Sequence, residues 1–429
     1  MGTLMARLRS GAGLGRRRVV AYGGILLTLE VAIFLFLVAG THGLIVPLGQ
    51  PTTTDFVSFY AAGSLADSGT PAAAFDQVAH RAAEERATQP GIGYQFFYYP
   101  PVFLMLCAAL ARMPYLVAFI AFEAATLVLY LLVARRTING QGWAAIVPLL
   151  AFPSVFWTLG LGQNAFLTAA LFGAALLLID RRPVASGLLF GMLCYKPHFG
   201  LLIPIALAAG RRWRAFAAAA VSVSALVLLS ALLFGWATWR DFLMLATGSH
   251  ATYESGRIDF AGFVSAFGAI RLLGGSPYAA YGVQALVTLG AALLVAVVWW
   301  RDLSLPVRAA ALSAATVAAV PVALLYDLLV VAVAGAWLIR AGQERGFLAW
   351  EKATLVGLFI VPLVARNLGA AWHIPLGPVV PLAVLVLVYA RARHELAPPV
   401  ADGPPDDVAL RDLGRYLAPI LGRTQHGQA

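Results

Sequence analysis

Asp55 is the acidic residue best placed for chemistry in this chain. It lies near the start of the first long polar interruption, TTTDFVSFYAAGSLADSGTPAAAFDQ, which closes with QFFYYPP at Pro101, so its carboxylate can meet both water and lipid. A carboxylate within hydrogen-bond reach of an alcohol can take its proton as general base, help that is typically worth about 10²- to 10⁴-fold. Asp is also a preferred N-cap, here for a helix beginning at Phe56, and the two roles are compatible only if one carboxylate oxygen stays free. Lys196 and Lys352 are the only two lysines. Lys352 follows Glu351 at a helix start and is explained as interfacial. Lys196 sits between two short apolar runs, where a charge is costly enough that function is the default expectation and snorkelling the alternative. With His198 it can hold a phosphate by charge and hydrogen bonds, stabilising a phosphate leaving group.

Other polar residues are less specific. Gly160 to Asn164, GLGQN, breaks an apolar hairpin as a tight turn would, yet the Gln163 amide can bond hydroxyl groups and Asn164 lies beside it. Asp327 follows Tyr326 at a helix start after Pro321, as an N-cap, a partner for Lys196 or a substrate contact. Arg366 is a second phosphate candidate. Phe96-Phe97-Tyr98-Tyr99 fits an interfacial belt, with Tyr99 held at the mouth by Pro100-Pro101. Tyr60, in the aromatic segment after Asp55, joins the candidate substrate contacts. Glu30 and Glu123 lie inside apolar helices, where each either lines a cavity or bonds a neighbouring helix.

The elements that must position these groups follow from composition. The chain has 61% hydrophobic and 12% charged residues, with a mean hydropathy of +0.81, against about 25% charged in soluble domains. Apolar runs of about 20 residues recur, each long enough to cross the hydrocarbon core as helix, and the alternation of barrel strands is missing. An all-α polytopic membrane protein is expected. The net charge of +10 comes as short Arg clusters between apolar runs, which act as topology signals and form no nucleic-acid surface. Cys107 and Cys194 lack metal or disulfide spacing. No metal cluster, Walker loop or dinucleotide fingerprint is present, so neither a metal nor a nucleotide cofactor is expected.

The run Val20 to Ala39 after Arg16-Arg17-Arg18 is too long for a signal-peptide core and reads as an uncleaved first helix with its N-terminus in the cytoplasm. Further crossings are expected over Leu116–Val133, Trp143–Leu159, Ala165–Ile179, Val184–Tyr195, Phe199–Ala209, Ala215–Phe234, Ala279–Trp300, Val307–Val320, Leu324–Ile339, Thr354–Ala365 and Leu376–Ala390, about twelve in all. Several are short, notably the two around Lys196, as expected of helices that stop at a cavity. Pro100–Arg112 is taken as a helix at the outer interface, because the later Arg clusters then all fall inside. The candidate residues then converge on the outer face. Residues 1–392 are expected to form the membrane domain, with 41–113 an outer loop carrying interfacial helices from Phe56 and Ala72. Residues 393–429 are expected to form a cytoplasmic tail with a surface helix over Val408–Leu421.

The segments DFVSFYAAG, YYPPVFL, GLGQNAFLTAALFGAALLL, RRPVASGLLFGMLCYKPHFGLLIPIALAAGRRWRAF and LLYDLL, from Asp55 to Asp327 in order, resemble the GT-C membrane glycosyltransferases. Within these they are most similar to glycosyltransferase family 87, polyprenyl-phosphate-mannose-dependent α-mannosyltransferases. The resemblance implies a GT-C fold in the bacterial inner membrane with an extracytoplasmic active site. It implies inverting transfer of a hexose, mannose by analogy, from a polyprenyl phosphate donor to a lipid or glycan hydroxyl. Asp55 matches the family's acidic residue, the general base. Gln163-Asn164 and Lys196-His198 match its GQ-N and KP-H/Q segments, His198 standing where Gln is frequent. No metal is required by that scheme. The competing expectation is a transporter or flippase of a lipid-linked substrate, for which a twelve-helix count would also serve, although no internal repeat is evident.

Overall fold

The computed structural model describes residues 2–39, 55–140 and 142–397. The described chain is all-α, 78% helical with no strands, and the protein is polytopic in the membrane. The described residues up to Ala392 form one compact unit. The tail helix expected over Val408–Leu421 and residues 40–54 of the first loop lie outside the described residues.

Helix length separates crossings from shorter apolar pieces. Among the described residues six helices are long and apolar enough to cross a membrane: Arg16–Phe36, Tyr115–Thr137, Trp213–Phe234, Pro277–Trp300, Leu325–Arg345 and Glu351–Trp372. The pair Trp143–Leu150 and Pro153–Leu161, bent by 61° where Pro153 opens the second helix, meets the same criteria together, as a broken span or a re-entrant loop. The expectation of about twelve is therefore not met by length. Five of the other apolar runs are helices of 10–17 residues: Pro101–Ala111, Ala165–Leu178, Pro183–Tyr195, Pro197–Ala209 and Leu305–Ala318. Leu305–Ala318 fills the interior, buried at every position from Pro306 to Ala318, whereas Pro183–Tyr195 keeps Val184, Leu188 and Met192 exposed. In Pro277–Trp300, by contrast, Leu286, Leu289 and Leu293 recur at helical spacing on an exposed face.

In the first loop, eight residues of the helix Phe56–Asp67, Phe56 to Phe59 among them, are buried. The helix expected from Ala72 breaks at Asp76, giving a 3₁₀ turn Pro71–Phe75 and then Gln77–Ala87, because the Asp76 side chain caps the second piece by accepting from the Ala79 amide at 2.8 Å. Pro101–Ala111, expected at the outer interface, packs along Phe56–Asp67. Arg112, next after it, donates to Asp67 at 2.8 Å. The second long connection, after Phe234, is mostly helical: Trp236–Gly248, His250–Glu254 and Ala266–Leu272. Glu123, on Tyr115–Thr137, is buried, and neither carboxylate oxygen has a hydrogen-bond partner.

The helix led by Asp55 is placed by one backbone approach. A Cβ on Gly63 would stand 2.0 Å from the Cys107 carbonyl oxygen, which is backbone and cannot swing aside. Gly63→Ala therefore forces the two helices apart, and overpacking of this kind costs about 1–3 kcal/mol. Its thermal midpoint is expected to fall, while Gly282→Ala, where an added Cβ meets nothing within 4 Å, leaves the midpoint unchanged or slightly raised.

Candidate active site

Asp55 has helical dihedrals, φ −60° and ψ −18°, and its side chain caps nothing in the helix it precedes. The capping role weighed from sequence is not the one adopted. Its Oδ2 instead accepts from Gln163 Nε2 at 2.7 Å. A carboxylate only accepts, so it dictates which end of the Gln163 amide faces it. The other end, Oε1, accepts from the Tyr99 hydroxyl at 3.4 Å and from the Asn164 amide nitrogen at 3.3 Å. The turn GLGQN thus does more than reverse the chain. Gly162 adopts a left-handed conformation, φ +67°, and a Cβ there would lie 2.7 Å from the Phe56 Cβ, so glycine lets the turn abut the start of the Asp55 helix. Asp55 is half-buried. Burial pushes its carboxyl up to about 6, and the Gln163 hydrogen bond pulls it part of the way back.

A second cluster forms around Lys196. The residue lies between the 3₁₀ turns Leu193–Tyr195 and Pro197–Gly200, and Pro197 cannot donate to a continuing helix. Its buried Nζ donates to Asp327 Oδ1 at 3.0 Å and stands 5.4 Å from the centre of the Tyr326 ring. Asp327 Oδ2 accepts from the Leu324 amide at 3.0 Å. Of the roles open to Asp327, the structure has it pairing with Lys196 and closing its own turn. His198 is exposed and packs edge-on against Phe199, so it does not share the burial of Lys196.

Tyr99 joins the two clusters. Burial raises its phenol well above the usual range, and the charges of Asp327 and Asp55 both add to the rise, so the ring is near enough to feel both carboxylates. Tyr99 also packs on Phe59 and Phe103, and faces Tyr195. Asn164 is fully buried, yet neither of its amide atoms has a hydrogen-bond partner of good geometry. Two candidates stand apart. The Tyr60 hydroxyl is used on the Met113 carbonyl at 2.9 Å. Arg366, half-exposed, pairs with Asp259 at 3.4 Å and lies over Trp157.

Sequence reasoning missed the groups beneath Asp55. His80 and Glu84, on Gln77–Ala87, are both fully buried. His80 Nε2 donates to the Ser58 carbonyl at 3.1 Å, bracing the first turn of the Asp55 helix. Both Glu84 oxygens accept from the Gln95 amide, at 3.3 and 3.2 Å. Burial holds the imidazole down at about 4 and pushes the carboxyl up to about 8. Their 3.7 Å contact is therefore between neutral groups at neutral pH and is no ion pair. The i, i+4 spacing in QVAHRAAEERA was the available signal, but it reads equally as a solvated face. Tyr195 was missed as well; its hydroxyl bonds Thr168 at 2.6 Å. Among the described residues no group of three or more His, Cys, Asp or Glu is placed to hold a metal ion.

Residues 97–326, more than half of the chain, match glycosyltransferase family 87. The chain belongs to this family of GT-C-type membrane glycosyltransferases. No curated protein and no solved structure matches it significantly. The match holds Tyr99, Gln163, Asn164, Lys196, His198 and Tyr326, and it leaves out Asp55 and Arg366. Asp55 is tied to the matched region by the bond from Gln163. Nothing in the structure or the comparison favours the transporter reading.

Two outcomes test these clusters. Lys196→Met strands the Asp327 carboxylate in an apolar interior, and breaking a buried pair from one side costs about 3–5 kcal/mol. The double variant Lys196→Met/Asp327→Leu is expected to regain most of the lost thermal stability in this glycosyltransferase but not transfer activity. Glu84 gives a pH test. Folding raises its pKa from 4.5 to about 8, so the folded state keeps a proton that the unfolded chain releases. Stability is therefore lost as pH rises through that window. Glu84→Gln stays neutral, and its thermal midpoint is expected to match the wild type near about pH 5 and exceed it near about pH 8.

Proposed function

We propose that this glycosyltransferase moves a hexose, mannose in the first instance, from a polyprenyl phosphate to a lipid or glycan hydroxyl, with Asp55 as general base. The observation that carries the reading is the Asp55 carboxylate itself: released from capping, half-buried and oriented by the Gln163 amide. The polar residues converge around Tyr99, and the Arg clusters of the connecting loops favour the extracytoplasmic side of a bacterial inner membrane for this end of the molecule. The first loop, residues 41–113, then lies outside and the tail inside.

In this scheme the acceptor oxygen attacks the hexose C1 while its proton passes to Asp55. The C1–O bond to the donor phosphate breaks from the opposite face, and its electron pair leaves with the phosphate. One displacement inverts the anomeric centre. The ammonium of Lys196 has three donors, of which Asp327 takes one, leaving two to meet phosphate oxygens. The exposed His198 and the half-exposed Arg366 are further phosphate contacts in the same reading. The Asn164 amide, buried without a partner, suits a sugar hydroxyl.

Transfer of radiolabelled mannose from synthetic polyprenyl-phosphate mannose to a membrane lipid extract tests the proposal. Wild type is expected to form product, and Asp55→Asn to lose about 10²- to 10⁴-fold. A base works ionised, so the wild-type rate is expected to rise with pH through about 6 and then level off. Gln163→Met removes the bond that stabilises the ionised form and moves that rise to higher pH. Equal turnover by wild type and Asp55→Asn sinks the base assignment. Product from another polyprenyl-phosphate sugar but none from mannose corrects the donor.

A further inference from the structure

The helix Gly2–Ser10 carries a pattern that the site around Asp55 does not use. Every residue from Thr3 to Ser10 is exposed, Leu4, Met5 and Leu8 among them. At about 100° per residue these three apolar side chains share an arc of about 100°, and Arg7 and Arg9 fall just beyond its two edges. Thr3, Ala6 and Ser10 occupy the opposite side. This is the layout of a helix that lies in a membrane interface, with an apolar stripe turned to the acyl chains and arginines at its margins reaching back to the headgroups. Isolated helices shorter than about 12 residues are marginal in water, so an uncovered helix of 9 residues needs a surface to hold it.

The fold fixes only the end of this helix. The Arg9 carbonyl accepts from the Trp350 amide at 2.8 Å. Gly11, buried and left-handed at φ +63°, lies on the stem of Lys352: a Cβ there would stand 2.7 Å from Lys352 Cδ and 2.9 Å from its Cβ. The seat itself is tied down. The buried Glu351 carboxylate accepts from Arg391 Nε at 2.7 Å and from the Leu348 amide at 2.9 Å, and Lys352 Nζ rests 4.7 Å from the centre of the Phe347 ring. Past Gly11 the chain turns, with the Leu14 amide on the Gly11 carbonyl at 2.9 Å and Arg18 Nη1 on the Gly13 carbonyl at 3.1 Å. The crossing Arg16–Phe36 follows at once. The link from Gly11 to Gly15 spans at most about 18 Å, so the helix stays beside the bilayer that the crossing enters.

Charge identifies the surface. Arg7, Arg9, Arg16, Arg17 and Arg18 lie ahead of the first acidic residue, Glu30, with no lysine among them. We propose that the helix Gly2–Ser10 docks on the bilayer as a clamp for acidic phospholipids: Leu4, Met5 and Leu8 enter the acyl boundary, and the arginines at their margins and in the run Arg16 to Arg18 gather anionic headgroups around them. Each arginine held at an anionic surface favours docking by about fivefold. The planar guanidinium pairs with two phosphate oxygens at once, which suits arginine to this place better than lysine. The docking is independent of the sugar, the donor and the base of the proposed transfer.

The test is hydrogen exchange of the full chain in nanodiscs, read on the backbone amides of residues 4–10, with phosphatidylcholine alone or mixed with phosphatidylglycerol. Exchange is expected to be slower by about tenfold or more in the acidic bilayer, and the gain to shrink in about 1 M salt, where screening sets in within about 3 Å. The double variant Arg7→Gln/Arg9→Gln, at two exposed positions, is expected to lose most of that gain with its thermal midpoint unchanged. Leu4→Ser/Leu8→Ser is expected to speed exchange in both bilayers. Equal exchange of the wild type in the two bilayers, or a gain that Arg7→Gln/Arg9→Gln leaves intact, overturns the clamp. Protection that appears only with two copies of the chain in one nanodisc overturns it in favour of a contact between copies. No sugar or donor enters this measurement, so its outcome and that of the transfer assay are separate.

Discussion

A charge inside an apolar protein must have a partner, and the buried pair Lys196–Asp327 is where this constraint shapes the molecule most. Each member sits at a break in regular helix: Lys196 between two 3₁₀ turns, Asp327 at the end of a third. Breaks free backbone groups that lipid cannot satisfy. Here they are met internally, the Phe199 amide by the Lys196 carbonyl, the Leu324 amide by Asp327, and the Val264 amide by the Ala323 carbonyl. Remote parts of the chain are thereby locked at one level. The rings that separate the two clusters, Tyr99 and Tyr326, are held at the same place because their neighbours cannot move apart without exposing a charge to hydrocarbon.

The proposed role of Asp55 depends on a division between carboxyl groups. Asp55 and Glu84 are close enough to feel each other, and both are raised by burial, to about 6 and about 8. Each takes a hydrogen bond from a neutral amide that favours its ionised form, Asp55 from Gln163 and Glu84 from the Gln95 backbone, and Asp55 remains the lower of the two. Its charge then adds to the burial that keeps Glu84 protonated. Environments that push two neighbouring carboxyls apart assign their roles: one is ionised at neutral pH and able to accept a proton, the other is neutral and structural. The neutral His80, bonded to the Ser58 carbonyl, transmits that support to the turn that carries Asp55.

Much of this was legible in the residues. The scarcity of lysine singled out Lys196, and a partner in Asp327 was among the alternatives, because a buried ammonium has few other ways to persist. The long helices fall close to their apolar runs. The crossing count was not legible, for a physical reason: a run such as Leu305–Ala318 is apolar whether its neighbours are lipid tails or other helices. His80 and Glu84 failed for the opposite reason. A polar helix next to a loop is ordinarily solvated, and only the packing of Gln77–Ala87 against Phe56–Asp67 puts that face inside. The Gln163–Asp55 bond joins residues 108 positions apart and leaves no local pattern.

Low charge content makes the remaining unpaired groups informative. Where only 12% of residues are charged, a salt bridge is seldom accidental, and most cations near the site are neutralised by a specific partner. The matched family region contains Gln163, which holds Asp55, and Asp55 itself comes from the loop before that region. The proposed displacement asks two things of that arrangement: fixed positive charge from the interior for a leaving phosphate, and for the acceptor a base that can be reached and that recovers its proton balance in water. A carboxylate on a half-buried helix start meets the second demand, and a paired lysine at a helix break meets the first.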